Sequence, residues 1–215
     1  NPPVKPAGVL VLAVKPQAFA AVAAQVAGFV GPATLVVSIM AGVRIAQISR
    51  RLGTARVVRA MSNTPGSIGQ GITVYSAAPG LAAADADAAR DLLAPLGEVE
   101  GPVDEGLMSA VTALSGSGPA YLFLLAEVMA EAGEAEGLPR ALAQRLARRT
   151  VEGAAALMAS GTADPESLRR AVTSPGGTTQ AALDILMDTG GMPRLMRDAL
   201  RAAANRDRQL SKEAD

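Results

Sequence analysis

The first hundred residues alternate short apolar runs with segments of helical periodicity, and this alternation restricts the fold more than any other feature. The run at 8–14, GVLVLAV, is continuously apolar, as is typical of a parallel strand buried on both faces. Strands that alternate with helices predict βαβ units and a mainly parallel sheet. The predicted strands are 8–14, 34–40, 56–61 and 72–76, and the predicted helices are 16–30, 44–52 and 83–96.

From about residue 104 the pattern changes to helical periodicity interrupted by Gly- and Pro-rich breaks. About five helices are expected, the longest at 120–136 and 140–160. Apolar residues make up 49% of the chain but aromatics only 2%, which favours closely packed helices rich in Ala and Leu. The sequence therefore predicts an α/β plus all-α chain, with a partial Rossmann-like parallel sheet domain over 1–101 and an all-helical domain over 102–215.

Histidine and cysteine do not occur in the chain. Their absence removes disulfides, the usual zinc ligands, thiol nucleophiles and the commonest general base. We therefore predict no metal site and a reaction whose reactive group is carried by a cofactor.

The charge balance indicates what kind of partner to expect. Lys plus Arg and Asp plus Glu each number 20, so the basic excess that is usual in nucleic-acid-binding proteins is missing. A small molecule or another copy of the chain is the expected partner. The apolar stretches 8–14 and 18–30 are too short or too interrupted to span a bilayer, and the first residues lack signal-peptide order. We expect a soluble, cytoplasmic protein without membrane contact.

One element of a dinucleotide-binding sheet is not found in the sequence. Such a sheet normally opens with a strand, a glycine-rich turn that holds the pyrophosphate, and a helix. No GxGxxG occurs in the chain, so we expect the sequence to begin partway into its cofactor domain. The residue that distinguishes NADPH from NADH normally follows that turn by about 20 residues, and the preference therefore stays open.

The segment SPGGTT at 174–179 lies between two predicted helices and offers an anion site. Ser174 can cap a helix and Pro175 suits its first turn. Gly176 and Gly177 expose backbone N–H groups which, with the helix dipole, suit a carboxylate. For this hexapeptide alone, an ordinary capped helix start is the simpler explanation.

Other segments follow predicted strands or open a helix. Lys15 ends the first strand, where a parallel sheet places its ligands, although a solvated lysine explains it as simply. The small residues after the second strand, at 39–42, would let a ribose approach, and 61–65 forms a turn with an amide side chain. SGSGPAY at 115–121 is a glycine-rich entry to a long helix, for which close packing is sufficient explanation.

In order and spacing, several segments together resemble the pyrroline-5-carboxylate reductases. They are AVKP, VVSIMAGV, RVVRAMSNTPGSIGQGITVY, AVTALSGSGPAYLFLLAE and LRRAVTSPGGTT, of which the last matches the family signature. The resemblance covers nearly the whole chain. It implies an oxidoreductase that uses NADPH, or NADH, to reduce Δ1-pyrroline-5-carboxylate to L-proline, the last step of proline biosynthesis. It also implies that the helical domain forms a homodimer, which assembles into a larger oligomer such as a decamer.

The resemblance further implies roles for single residues. Thr179 matches the threonine that hydrogen-bonds the ring nitrogen and is the implied catalytic residue. Glu105 matches a glutamate near the substrate, and a solvated residue in a first helical turn is an equal alternative. The implied substrate-binding residues are Glu105, Ser174, Gly176, Gly177, Thr178 and Thr179. The implied cofactor-binding residues are Ala13, Val14, Lys15, Pro16, Ile39, Met40, Ala41 and Asn63. Ala171 stands where some members carry a polar residue that reaches the cofactor.

Two alternatives remain open. A β-hydroxyacid dehydrogenase has a similar two-domain build but generally relies on a lysine in its helical domain. Lysine occurs only at 5, 15 and 212, which counts against this family. A non-catalytic, helical oligomerisation or scaffold protein is the other alternative, and titration with a nicotinamide cofactor would separate it from an enzyme.

Overall fold

The computed structural model describes residues 5–213, which form two compact units. Contacts within the chain group Asn1–Pro119 with Leu200–Asp215 as the first unit, and Ala120–Ala199 as the second. The domain ranges predicted from the sequence include residues 1–4 and 214–215, which lie outside the described residues. The predicted boundary between residues 101 and 102 stays a prediction.

Five strands form a single sheet in the first unit, in the order β1-β2-β3-β4-β5. The β3–β4 pair is antiparallel and the other pairs are parallel, which confirms the predicted mainly parallel sheet. The segment between β3 and β4 contains no crossover helix, and a parallel pair would require one. The strands are β1 (Val9–Leu12), β2 (Leu35–Ser38), β3 (Val57–Met61), β4 (Gly71–Ala77) and β5 (Gly97–Glu100). The prediction omits β5 because its sequence, GEVE, has a single large apolar residue.

Helices cover both faces of the sheet. On one face α1 (Phe19–Val26) and α2 (Ile45–Leu52) bury a cluster that includes Phe19, Val36, Ile48 and Val57. On the other face α3 (Ala83–Leu93) buries a cluster that includes Val37, Val58, Tyr75 and Ala89. The central strands β2 and β3 are therefore packed on both sides, as a parallel sheet requires.

The edge strand β1 differs from the prediction of burial on both faces. Val9 and Val11 remain 43% and 46% exposed, whereas Leu12 is buried. The register pairs Val9 with Leu35 and Val11 with Val37, both members of the cluster beneath α3. That cluster is centred on β2, β3 and β4, so the face of β1 that bears these two valines is not covered within the described residues.

The remaining helices agree with the five predicted from the sequence, apart from a short additional one. They are α4 (Met108–Val111), α5 (Gly118–Ala135), α6 (Arg140–Ala159), α7 (Pro165–Ala171), α8 (Thr178–Leu186) and α9 (Met192–Glu213). The continuous helical segment Glu105–Ala135 is long and apolar enough to cross a bilayer, by length and composition only. The sequence prediction rests on the apolar stretches 8–14 and 18–30 and misses this segment. The expectation of no membrane contact stays a prediction.

A buried ionic cluster joins α9 to the sheet within the first unit. Arg59 on β3 is 4% exposed, and its Nη2 lies 3.8 Å from Oδ2 of Asp207 on α9. Asp207 is 3% exposed and accepts a 2.8 Å hydrogen bond from the Ser109 hydroxyl. Nη1 of Arg59 lies 3.4 Å from Oε1 of Glu105. Because an isolated charge is costly in the interior, the buried Arg59 and Asp207 side chains depend on this cluster for their partners.

Replacement of Arg59 by methionine should lower the free energy of unfolding by about 3–5 kcal/mol, the usual cost of breaking a buried ion pair by removing one partner. The substitution leaves the Asp207 carboxylate buried without a countercharge. Urea denaturation measures the effect. The control is Arg206→Ala on the same helix, which removes an ion pair with Glu213 whose side chains are both more than half exposed and should leave the midpoint unchanged. Equal midpoints for Arg59→Met and the unaltered protein would show that the cluster contributes no stability.

Candidate active site

The carboxyl ends of β1 and β2 bring two groups of predicted cofactor residues to one edge of the sheet. Leu12 pairs with Ser38, and the Ile39 N–H donates to the Leu12 carbonyl at 3.0 Å. Ala13, Val14, Lys15 and Pro16 follow β1, and Ile39, Met40 and Ala41 follow β2. This is the edge at which parallel sheets bind ligands.

The residues at this edge fit a dinucleotide. Lys15 is exposed and precedes a short 3-10 helix that begins at Pro16, so its ammonium group is available to an anionic group. Ala41 presents only a methyl group, and Gly42 adopts φ +73°, a left-handed conformation that favours glycine. Their assignment as cofactor contacts stays a prediction. Within residues 5–213 no group of three or more Asp or Glu side chains is arranged to hold a metal ion.

Asn63 follows β3 and uses both polar atoms of its side chain within the first unit. Its Oδ1 accepts a hydrogen bond of 3.1 Å from the Ile72 N–H at the start of β4. Its Nδ2 donates to the Ser115 hydroxyl oxygen at 3.3 Å. The structure therefore places Asn63 as a support between two strands and a helical turn, and direct contact with a cofactor stays a prediction.

The sequence predicts that SGSGPAY is a simple helix start. In the structure this segment instead overlaps a π-helical turn inside a longer helical segment. This π-turn spans Thr112–Gly116, and the Ser117 N–H donates to the Thr112 carbonyl five residues earlier at 2.8 Å. Gly116 packs closely against the end of the Met61 side chain at the end of β3, and a side chain at this position would require that flexible end to move. Ser115 is thereby brought beside Asn63, just beyond the carboxyl end of β3. The sequence analysis assigns it no role, because the hydrogen bond from Asn63 joins residues far apart in the chain.

Glu105 is held by two partners of its own unit. Besides the contact with Arg59, its Oε1 accepts a 2.7 Å hydrogen bond from the Ile45 N–H in the first turn of α2. The alternative of a merely solvated first-turn residue is therefore wrong, because the carboxylate contacts a distant helix start and a buried cation. The predicted role beside the substrate stays a prediction.

The SPGG loop lies in the second unit and corrects the predicted helix start. Ser174 is exposed and does not cap a helix. Its carbonyl accepts from the Gly177 N–H at 3.0 Å, and the helix begins only at Thr178, with Gly177 as the capping residue. The reason is Gly176, whose φ of +70° interrupts the helical conformation before the loop can turn into α8.

The two helix starts on either side of this loop are satisfied differently. At α7 the Asp164 carboxylate caps the helix by accepting from the Ser167 N–H at 2.9 Å, and this hydrogen bond lowers the pKa of Asp164. At α8 the capping residue is glycine and supplies no acceptor side chain. The first N–H groups of α8, which include those of Thr178 and Thr179, therefore receive no cap from the residue at position 177. They suit an anionic group from outside the helix. Thr179 itself is half-buried.

Replacement of Gly176 by alanine should lower the free energy of unfolding by about 1–2 kcal/mol, the cost of a left-handed conformation for an L-residue. No neighbouring atom would contact the added methyl group, so the effect isolates backbone strain. The control is Gly161→Ala in the same unit, where φ is ordinary and the space around the added atom is also open. Thermal unfolding of both variants measures the difference. A Gly176→Ala variant as stable as the control would contradict the strained turn.

Known proteins resemble this chain in sequence and in structure. The family model for pyrroline-5-carboxylate reductase dimerisation matches residues 105–210. The pyrroline-5-carboxylate reductase of Pseudomonas aeruginosa is 44% identical over 208 residues, which cover 96% of this chain and 76% of the relative. That of Synechocystis sp. is 41% identical over 205 residues, with 95% and 76% covered.

Two solved structures show the same fold. The pyrroline-5-carboxylate reductase of Coxiella burnetii has a TM-score of 0.86 at 38% identity, with 95% of this chain and 76% of that chain covered. The pyrroline carboxylate reductase of Plasmodium falciparum, solved with NADP bound, has a TM-score of 0.83 at 27% identity, with 95% and 77% covered. Both likenesses confirm the predicted fold class, a Rossmann-like sheet followed by helices.

Proposed function

The chain belongs to the pyrroline-5-carboxylate reductase family, and we propose how its residues support the reduction of the C=N bond of Δ1-pyrroline-5-carboxylate to L-proline by a nicotinamide cofactor. The observation that carries the proposal is the first turn of α8, which has no side-chain cap and which begins directly after the SPGG loop. A carboxylate placed at this turn accepts hydrogen bonds from backbone N–H groups and lies at the positive end of the helix dipole.

The substrate carboxylate binds to the backbone N–H groups of Thr178 and Thr179. Ser174, Gly176 and Gly177 shape the loop, because the Gly177 N–H already donates to the Ser174 carbonyl. One charge at such a position contributes roughly 0.3–1 kcal/mol, and up to about 2 kcal/mol where it is partly buried. The Thr179 hydroxyl hydrogen-bonds the ring nitrogen, so that the two ends of the substrate are held by adjacent groups. Orientation of this kind accounts for several kcal/mol of barrier, as an order of magnitude.

The cofactor is NADPH, with NADH as the alternative, in line with the NADP-bound relative. Residues 13–16 and 39–41 would hold it at the carboxyl edge of β1 and β2. When bound, it supplies the hydride that adds to the imine carbon. Lys15 offers a cation to an anionic group of the cofactor, and Ala41 leaves room for a ribose. Because a protonated imine is already electrophilic, the chain's residues need to bind and orient it rather than attack it.

Loss of the Thr179 hydroxyl should reduce kcat/KM for imine reduction about 10- to 100-fold, the range for a hydrogen bond to a charged group. Thr179→Val removes the hydroxyl and keeps the side-chain volume, while Thr179→Ser keeps the hydroxyl and loses a methyl group. Steady-state kinetics on the intact enzyme should therefore show a large loss for valine and a small one for serine. Equal rates for the two variants would remove the hydroxyl from the mechanism.

The helical unit self-associates, as the match to the dimerisation model indicates. Its helices expose large apolar side chains that a single copy does not cover, with Phe123 68% and Ile185 76% exposed. A second copy that packs on these helices would also cover the apolar segment Glu105–Ala135 without any bilayer. We place the enzyme in the cytoplasm as a homodimer that assembles into a larger oligomer such as a decamer.

A charge introduced on the apolar surface of α5 should break this assembly. Phe123→Glu buries an unpaired carboxylate if a partner packs there, and sedimentation velocity should show a shift to smaller species at concentrations where the unaltered protein is oligomeric. Ile68→Glu is the matched control, because Ile68 is 72% exposed in the first unit. A stable monomer for the unaltered protein would contradict the proposed dimer.

A further inference from the structure

The hydrogen bonds of Asn63 fix which way its amide points. The Ile72 N–H can only donate, so the atom of Asn63 that faces it at 3.1 Å is the oxygen. The amide NH2 group must then face Ser115, whose hydroxyl oxygen is 3.3 Å away. The assignment of the two amide atoms thus follows from a backbone donor that cannot change its role.

This orientation determines what the Ser115 hydroxyl can do. Because its oxygen accepts from Asn63, its own proton is directed elsewhere, and none of residues 5–213 provides an acceptor for it. Ser115 is also only half-buried, so a ligand can reach the hydroxyl group. The result is a positioned donor that is unused within the chain.

The backbone around Ser115 is held in place by two further contacts. The Ser117 N–H donates to the Thr112 carbonyl, which closes the π-turn, and Gly116 packs against Met61 at the end of β3. Such π-turns are rare and occur frequently at functional sites. Ser115 therefore lies on a rigid turn at the sheet edge where ligands bind in folds of this kind.

We propose that Ser115 is a ligand-binding residue of the reductase site and that Asn63 is its positioning residue. The Ser115 hydroxyl donates to an acceptor oxygen, either the carboxamide oxygen of the nicotinamide or a carboxylate oxygen of the imine substrate. The proposal rests on the proposed function, because both oxygens belong to ligands of that reaction.

The first test separates the two sources of the oxygen. Ser115→Ala should raise KM for one ligand, the dinucleotide or the imine, about five- to tenfold, as expected for loss of one hydrogen bond, with kcat changed less than about twofold. Ser115→Thr keeps the hydroxyl and should restore most of the affinity. Thr112→Val is the control within the same π-turn, because the Thr112 hydroxyl donates to the Met108 carbonyl and both KM values should stay unchanged.

The second test changes the direction of the hydroxyl proton without removing the hydroxyl. In Asn63→Asp, one carboxylate oxygen still accepts from the Ile72 N–H, but the other can only accept, so it draws the Ser115 proton away from the ligand. Asn63→Asp should therefore raise the same KM as Ser115→Ala, and the double variant should be no worse than either single variant. A purely structural role for Ser115 would not produce this pattern.

Two results overturn the proposal: KM values for Ser115→Ala within about twofold of the unaltered enzyme for both ligands, or effects of the two substitutions that multiply. Calorimetric titration with NADPH and with L-proline repeats the comparison without turnover. The unaltered enzyme could reduce no imine and yet bind NADPH or L-proline more tightly than Ser115→Ala does. In that case the proposed function would fail, while the binding role of Ser115 would stand.

Discussion

The buried cation of Arg59 is the interaction on which the first unit depends. It lies in the middle of a central strand and faces two carboxylates, Glu105 and Asp207, from segments far apart in the chain. Glu105 in turn accepts from the first turn of α2, and Asp207 from Ser109 on α4. One desolvated guanidinium therefore connects a helix start, a short helix and the C-terminal helix to the sheet, and its loss leaves the buried Asp207 carboxylate without a countercharge.

The same ionic cluster also fixes the start of the helical segment that leads to the candidate site. Glu105 begins the helical segment that, within ten residues, reaches the π-turn and Ser115. Met61, which contacts that turn, ends the strand that carries Arg59, and Asn63 follows two residues later. The helical segment from Glu105 to Gly116 is therefore held at both ends. The ionic contact of Glu105 holds its start, and the packing of Gly116 against Met61 holds the π-turn at its end. This arrangement explains how a helix with an irregular hydrogen-bond pattern can place a hydroxyl group reproducibly at the sheet edge.

Local signals in the sequence predicted much of this fold, whereas contacts between distant residues could not be predicted. Apolar runs and their helical separators identify β1 to β4, because a strand buried by its neighbours needs a continuous apolar sequence. The edge strand β5 was not predicted because it packs little and its sequence has little apolar character. The exposure of Val9 and Val11 depends on where α3 lies, not on their own sequence. Family motifs led to Thr179 and residues 13–16, but the partners of Glu105 and the orientation of Asn63 are long-range hydrogen bonds. Ser174 was misplaced as a helix cap because Gly176 turns the chain before the helix begins.

The contrast between α7 and α8 shows why the SPGG loop is more than a connection. A helix start leaves N–H groups that require acceptors, and α7 satisfies them with the ionised carboxylate of Asp164. Because the pKa of Asp164 is lowered in the folded state, this contribution to stability is present above the unfolded pKa and is lost as the pH falls through the lower, folded pKa. An equivalent aspartate at position 177 would satisfy α8 in the same way, yet it would occupy the proposed anion site with the enzyme's own charge. Glycine at that position leaves the first turn of α8 without a side-chain acceptor, which is the arrangement that the proposed binding of a substrate carboxylate requires.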